Sequence, residues 1–305
     1  MCDYTEGKGL IFNIVRSSFV DGWGIRTTIF LKGCPLRCVW CCNPEGQSLA
    51  PQLRVTYSDC DGCGDCVSAC KRGALAVTGG RVKVDRTLCD GCGGCRESCL
   101  SDALGIYGQW YTAREMFGIV RKDETFYRSS GGGVTIGGGE ATLYPEFCLG
   151  LIELCHEAGI HVAVDTCGQV GSELGMEVLR RADLLLYDVK GLDDVKHRRF
   201  TGVSNTGILE NLRTLSSEGV PVIVRLPVIP GYNDSDEELA AAREFLAELP
   251  SLKRLDILPV HQYGKSKYEE LDMEYGLRCE KIPDERQKKI LELFKSAGLN
   301  AQLGG

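Results

Sequence analysis

Short runs of β-branched and apolar residues alternate with longer stretches of helical periodicity along most of this chain, the pattern of parallel βα units. The spacing predicts strands over 27–31, 134–136, 161–165, 184–189, 222–226 and 255–258, with a short last one over 301–303. Helix ends are readable between them. Thr112 with Glu115, and Ser235 with Glu238, have capping-box spacing; another helix opens near Pro145 and Gly159 stops it. About six such units are too few to close an eight-stranded barrel. The expected architecture is therefore α/β, an open partial (β/α)6 barrel with its chemistry at the C-terminal ends of the strands.

The pattern is interrupted by cysteines. Cys60, Cys63, Cys66 and Cys70, then Cys89, Cys92, Cys95 and Cys99, share the spacing C-x2-C-x2-C-x3-C and begin 29 residues apart, so the stretch reads as an internal duplication. It divides the chain into a partial barrel, residues 1–50 and 108–305, and a ferredoxin-like insert, residues 51–107. In bacterial two-cluster ferredoxins the fourth cysteine of each run ligates the other cluster. By that rule Cys60, Cys63, Cys66 and Cys99 hold one 4Fe-4S cluster, and Cys89, Cys92, Cys95 and Cys70 the second. Lys71 and Leu100 stand where such runs often place proline. Zinc also takes four cysteines, but its sites more often show two well separated C-x2-C pairs.

Composition narrows the setting. The 305 residues are 43% hydrophobic, enough for a large core. Against 42 Asp and Glu stand 35 Lys and Arg, and the net charge of -7 offers no electrostatic case for a nucleic-acid partner. The beginning has no basic, apolar leader, and no stretch is apolar for the roughly 18 residues that a membrane span needs. The expected location is the cytoplasm, with no membrane partner. There, 17 cysteines point to metal ligation rather than to disulfides. Cys2, Cys42, Cys148, Cys155, Cys167 and Cys279 fall outside the runs and read as small buried hydrophobes, although Cys42 adjoins a ligand and has no assigned role.

Three further cysteines follow the first βα strand: Cys34, Cys38 and Cys41, spaced C-x3-C-x2-C. A cubane normally takes four cysteines. Three leave one iron open to a substrate or cofactor. At the end of the second strand Gly137, Gly138, Gly139 and Glu140 form a glycine run closed by a carboxylate, where a ligand can approach the backbone closely.

The trio resembles the cluster loop of the radical S-adenosylmethionine (SAM) enzymes, and Trp40 is similar to the aromatic residue which that family places beside the cofactor. Gly138, Gly139 and Glu140 resemble its G-G-E element, which holds the amino group of SAM; Gly137 replaces a common serine there, and Ala141 a usual proline. One subgroup is similar over nearly the whole chain, the glycyl-radical-enzyme activating enzymes. Residues 21–28, D-G-W-G-I-R-T-T, look like its D-G-P-G-I-R-T opening, and residues 40–45, W-C-C-N-P-E, like its W-C-x-N-P-E continuation. Asp165 with Thr166, and Asp188 with Lys190, resemble its D-T and D-x-K elements near the methionine carboxylate. Carboxylates at those strand ends also suit a hard cation, and a monovalent one is expected there. Arg225 and His261 lie in two more matching segments, at positions near SAM or the substrate glycine. His156, His161 and His197 have no such context and read as structural.

The resemblance implies an enzyme that cleaves SAM reductively to methionine and a 5'-deoxyadenosyl radical, which then takes hydrogen from a glycine of a partner glycyl radical enzyme. It implies three 4Fe-4S clusters and a ferredoxin or flavodoxin as reductant. The small pyruvate formate-lyase activator lacks the insert. Activators of benzylsuccinate synthase, glycerol and choline lyases, arylacetate decarboxylases and sulfonate lyases carry it. The competing readings are a radical SAM enzyme acting on a small molecule or another peptide, a non-catalytic iron-sulfur electron carrier, and a zinc-binding interaction module.

Overall fold

The computed structural model describes residues 4–304. Thirteen strands occur among them: β1 (Lys8–Ser18), β2 (Arg26–Leu31), β3 (Gln52–Val55), β4 (Leu75–Thr78), β5 (Arg81–Val84), β6 (Leu104–Tyr107), β7 (Gln109–Thr112), β8 (Gly133–Gly138), β9 (His161–Thr166), β10 (Leu184–Asp188), β11 (Val222–Val228), β12 (Leu252–Pro259) and β13 (Ala301–Leu303). The helices are α1 (Asp65–Ala69), α2 (Ala113–Val120), α3 (Glu124–Ser130), α4 (Pro145–Glu157), α5 (Glu173–Arg181), α6 (Asp194–Thr201), α7 (Thr206–Ser217), α8 (Asp236–Ala247), α9 (Lys265–Glu270) and α10 (Asp284–Lys295). None of these helices is long and apolar enough to cross a membrane.

Nine strands form one open sheet in the order β13-β12-β11-β10-β9-β8-β2-β1-β7. All seven strands expected from the sequence run parallel within it. Their central residues, such as Ile29, Val134, Ile136, Val164, Leu185 and Val224, are fully buried, as strands covered on both faces require. Two antiparallel strands, β1 and β7, extend the sheet beyond β2. They were not expected, because strands that break the βα alternation leave no periodic trace of it.

Local signals fix the helices. Thr112 Oγ1 accepts from the Glu115 amide at 3.1 Å and the Glu115 carboxylate accepts from the Thr112 amide at 2.8 Å, so the capping box opens α2. At α8 only half of the expected box forms. Ser235 accepts from the Glu238 amide, but the Glu238 carboxylate is drawn 3.0 Å from Lys196 Nζ instead. Gly159, with φ of +69°, ends the turn after α4.

Residues 52–107 fold apart from this sheet. β3 pairs antiparallel with β6, and β4 with β5. Leu53, Val55, Leu75, Val82 and Leu104 make a small core of their own, into which Cys66 and Cys95 are packed.

Candidate active site

The loop leaving β2 carries Cys34, Cys38 and Cys41. Gly33 turns it with φ of +92°, a conformation that favours glycine. The Arg37 amide donates to the Thr201 carbonyl at 2.7 Å and the Val39 amide to the Phe200 carbonyl at 3.0 Å, tying the loop to the end of α6. On its other flank it nests against the loop after β8. The Glu140 amide donates to the Gly33 carbonyl at 2.7 Å, and a Cβ on Gly139 would lie 1.9 Å from that same oxygen. Only glycine permits so close an approach.

All three thiols are free of disulfides and line one cavity of about 230 Å³. Its walls bring together Trp40, Gly138, Gly139, Asp165, Asp188, Lys190, Arg225 and His261, residues spread over more than 220 positions of sequence. Gly138, Asp165, Asp188 and Arg225 lie within β8, β9, β10 and β11, and Trp40, Gly139, Lys190 and His261 in the segments that follow β2, β8, β10 and β12, towards the end at which parallel α/β folds place their chemistry. Trp40 also packs edge-on against Tyr232, with ring centroids 5.7 Å apart.

Glu140 stands apart from this group. Its carboxylate is fully buried and turned to the neighbouring loops, accepting from the Thr166 hydroxyl at 2.8 Å, the Cys167 amide at 2.8 Å, and the Thr142 hydroxyl at 2.9 Å. It is not among the residues that line the cavity. The strand-end position is as the sequence suggested, but the side chain binds its own fold rather than facing the open space.

Charge along the wall is arranged in pairs. Arg225 Nη1 donates to Asp165 at 2.9 Å, and Nη2 to Asp21 at 3.2 Å and to the Val20 carbonyl at 2.9 Å. Lys190 Nζ donates to Asp188 at 2.7 Å. Burial pushes the Asp165 carboxyl up to about 7, against the pull of Arg225, with Asp188 and Asp21 adding to the rise. Burial works against the charge on Lys190, but Asp188 and Cys38 outweigh it and hold the ammonium well above its ordinary value. Three carboxylates face two cations here. Arg225 Nε is a buried donor with no hydrogen-bond partner among the described residues. Burial alone lowers His261, whose ring stacks on Tyr263 at 4.6 Å.

Cys167 belongs to this wall as well. It is buried, as a small hydrophobe would be, yet it lines the cavity and interacts with Cys34. The signal available in the sequence was its place directly after Asp165 and Thr166 at a strand end. Cys42 also faces the cavity. Cys148 and Cys155 are buried in the core, and Cys148 Sγ donates to the Ala141 carbonyl at 3.3 Å. Cys279 is half-buried, and Cys2 lies outside the described residues. His156 pairs with Asp183, His161 meets Arg26, and His197 bonds the Val203 carbonyl, all away from the cavity.

In the insert, a second cavity of about 490 Å³ is lined by Cys70, Cys89, Cys92 and Cys95. Burial raises the Cys66 thiol, and the nearby Cys60, Cys63 and Cys99 add to the rise. The amides of Val82 and Ala74 approach Cys60 Sγ and Cys70 Sγ at 3.5 and 3.4 Å, the kind of N–H···S contact that tunes iron-sulfur sites. Among the described residues, no three His, Cys, Asp or Glu side chains are gathered tightly enough to hold a single metal ion.

Comparison with known proteins places this geometry. The radical SAM superfamily matches residues 28–242. The chain is 41% identical to a trans-4-hydroxy-L-proline dehydratase activating enzyme of Clostridioides difficile, over 97% of this chain and 99% of that one. It is 40% identical to the benzylsuccinate synthase activating enzyme of Thauera aromatica, over 96% and 92% respectively. Among solved structures, SuiB of Streptococcus suis bound to its precursor peptide SuiA shares the fold, with a TM-score of 0.51 and 17% identity over 65% of this chain and 43% of that one. The chain therefore belongs to the radical SAM superfamily and, within it, to the glycyl-radical-enzyme activating enzymes.

Proposed function

We propose that this protein activates a partner glycyl radical enzyme. The observation that carries the reading is the convergence of three free thiols, a glycine-walled strand end and two cation-carboxylate pairs on one cavity. Cys34, Cys38 and Cys41 fit a 4Fe-4S cluster with one open iron. Such a cluster, once reduced, would supply the one electron that breaks a sulfonium C–S bond of SAM, the chemistry that yields methionine and the 5'-deoxyadenosyl radical needed to take a hydrogen atom from a glycine Cα of the partner.

The chain's own residues prepare the place. The backbone at Gly138 and Gly139 would hold the methionine end of SAM, and Glu140 keeps that wall in register with the end of β9 through Thr166 and Cys167. Lys190, and Arg225 Nε, which has no partner among the described residues, would offer donors to the methionine carboxylate. Trp40 would pack beside the cofactor, and His261, on the same cavity wall, would meet SAM or the partner's glycine segment. Once Asp165 has lost its proton, above about pH 7, Asp165 and Asp188 suit a monovalent cation. Burial pushes the Cys38 thiol up to about 12 and Cys41 up to about 11, so metal binding must displace their protons.

Residues 51–107 act as a ferredoxin-like domain holding two further 4Fe-4S clusters, one on Cys60, Cys63, Cys66 and Cys99, the other on Cys70, Cys89, Cys92 and Cys95. Residues 1–50 and 108–305 form the catalytic domain. A cytoplasmic ferredoxin or flavodoxin is the reductant.

The test is anaerobic incubation with SAM, a reductant and a co-expressed glycyl radical enzyme. Equal amounts of methionine and 5'-deoxyadenosine are expected, together with a glycyl radical signal on the partner, and Cys38→Ala should abolish both. Steady turnover of a small molecule with no radical on any partner would overturn the reading.

A further inference from the structure

Helix α9 and the turn after it, residues 265–272, touch both parts of the molecule at once. Towards the cysteine trio, the Tyr268 hydroxyl donates to the Cys41 carbonyl at 3.0 Å. Lys267 Nζ donates to Asn43 Oδ1 at 2.8 Å and pairs with the buried Glu45 at 2.6 Å. Gly264, just ahead of α9, packs so tightly that a Cβ there would lie 2.8 Å from the Cys42 Cα. Towards the insert, Glu270 accepts from the Tyr107 hydroxyl at 2.5 Å, and its carbonyl accepts from Arg86 at 3.2 Å. Asp272 accepts from Arg86 Nε at 3.0 Å and Nη2 at 2.8 Å on one oxygen, and from the Tyr57 hydroxyl on the other.

The partners of Asp272 are related by the duplication. Tyr57 and Arg86 stand 29 residues apart, each three residues ahead of the first cysteine of its run, Cys60 and Cys89. One carboxylate on the catalytic part therefore holds equivalent points of both repeats. Asp272 itself takes a left-handed conformation, φ +54°, which aspartate adopts more readily than most non-glycine residues. Arg86 also donates to the Leu53 carbonyl of β3, so the grip reaches the insert's own sheet.

We propose that residues 265–272 are a coupling element that sets the position of the insert's cysteines relative to the trio, with Glu270 and Asp272 as positioning residues acting through Tyr57, Arg86 and Tyr107. This rests on the reading that the insert passes electrons to the trio. Electron transfer slows steeply with distance, so a loosened insert delivers electrons slowly while the cavity itself stays intact.

The experiment uses the anaerobically purified holoprotein and the double variant Glu270→Gln, Asp272→Asn, with Tyr57→Phe as a milder companion. Iron content and SAM binding should match the unaltered protein, and hydrogen exchange should rise around residues 57, 86 and 107. With a flavodoxin as electron donor, the rate of SAM cleavage should fall at least tenfold. With dithionite, which reaches the open cavity directly, it should change less than twofold. An equal loss with both donors, no loss with either, or unchanged hydrogen exchange would overturn the proposal. If the double variant loses iron, the same criteria apply to Tyr57→Phe. Unaltered protein that cleaves no SAM with either donor would instead defeat the reading of the cavity.

Discussion

Replacing Asp165 by Asn should change how stability depends on pH. Burial raises this carboxyl from its ordinary 3.8 to about 7, and its side chain is only 22% exposed beside Arg225. The raised value means that the folded protein keeps a proton which the unfolded chain has already lost between about pH 4 and pH 7. Stability linked to this group is thus undiminished below pH 4 and falls by about 1.4 kcal/mol for each pH unit up to about 7. Over some three units the total is about 4 kcal/mol. Asn carries no such proton, and its amide oxygen still accepts from Arg225. The assay is anaerobic urea unfolding of both proteins at pH 5, 6, 7 and 8. The unfolding free energy of Asp165→Asn minus that of the unaltered protein should rise by about 1.4 kcal/mol per unit from pH 5 to 7 and level off at pH 8. A difference that is flat across this range, or that falls, would refute the assignment of a neutral carboxyl in this wall.

Two glycine substitutions should act in opposite directions. Gly139→Ala puts a Cβ against two backbone oxygens, those of Gly33 and Gly46, which cannot give way as a side chain can; a loss of about 1–3 kcal/mol is expected, with iron falling by about four atoms per chain while the helical circular dichroism is kept. Gly118→Ala, on the exposed face of α2 with nothing near its added Cβ, should raise stability by about 1 kcal/mol in urea unfolding and leave SAM cleavage unchanged.

The parallel strands were legible because each is a short buried run bounded by turn residues, and the site was legible because its motifs sit at strand ends. β1 was not legible. Its alternation is broken by irregularities between Ile11 and Asn13 and between Val15 and Ser18, and several of its residues are exposed. β7 is four residues long and runs directly into the cap of α2. The direction of the Glu140 side chain escaped for another reason: its partners Thr166 and Cys167 lie 26 and 27 residues away, beyond the reach of any local pattern. The same distance hid Cys167 from the list of cavity residues. The docking of α9 depends on Tyr57, Arg86 and Tyr107, more than 160 residues earlier in the chain, and no motif links them.

The pairing of β3 with β6 has a consequence for how such a chain arises. Gln52 lies opposite Tyr107, so the cysteine-rich segment departs from and returns to the rest of the protein through neighbouring positions about 5 Å apart. A gap that narrow is bridged by an ordinary two-residue turn. A gene could gain or shed the entire segment in one event without shifting the register of any strand in the large sheet.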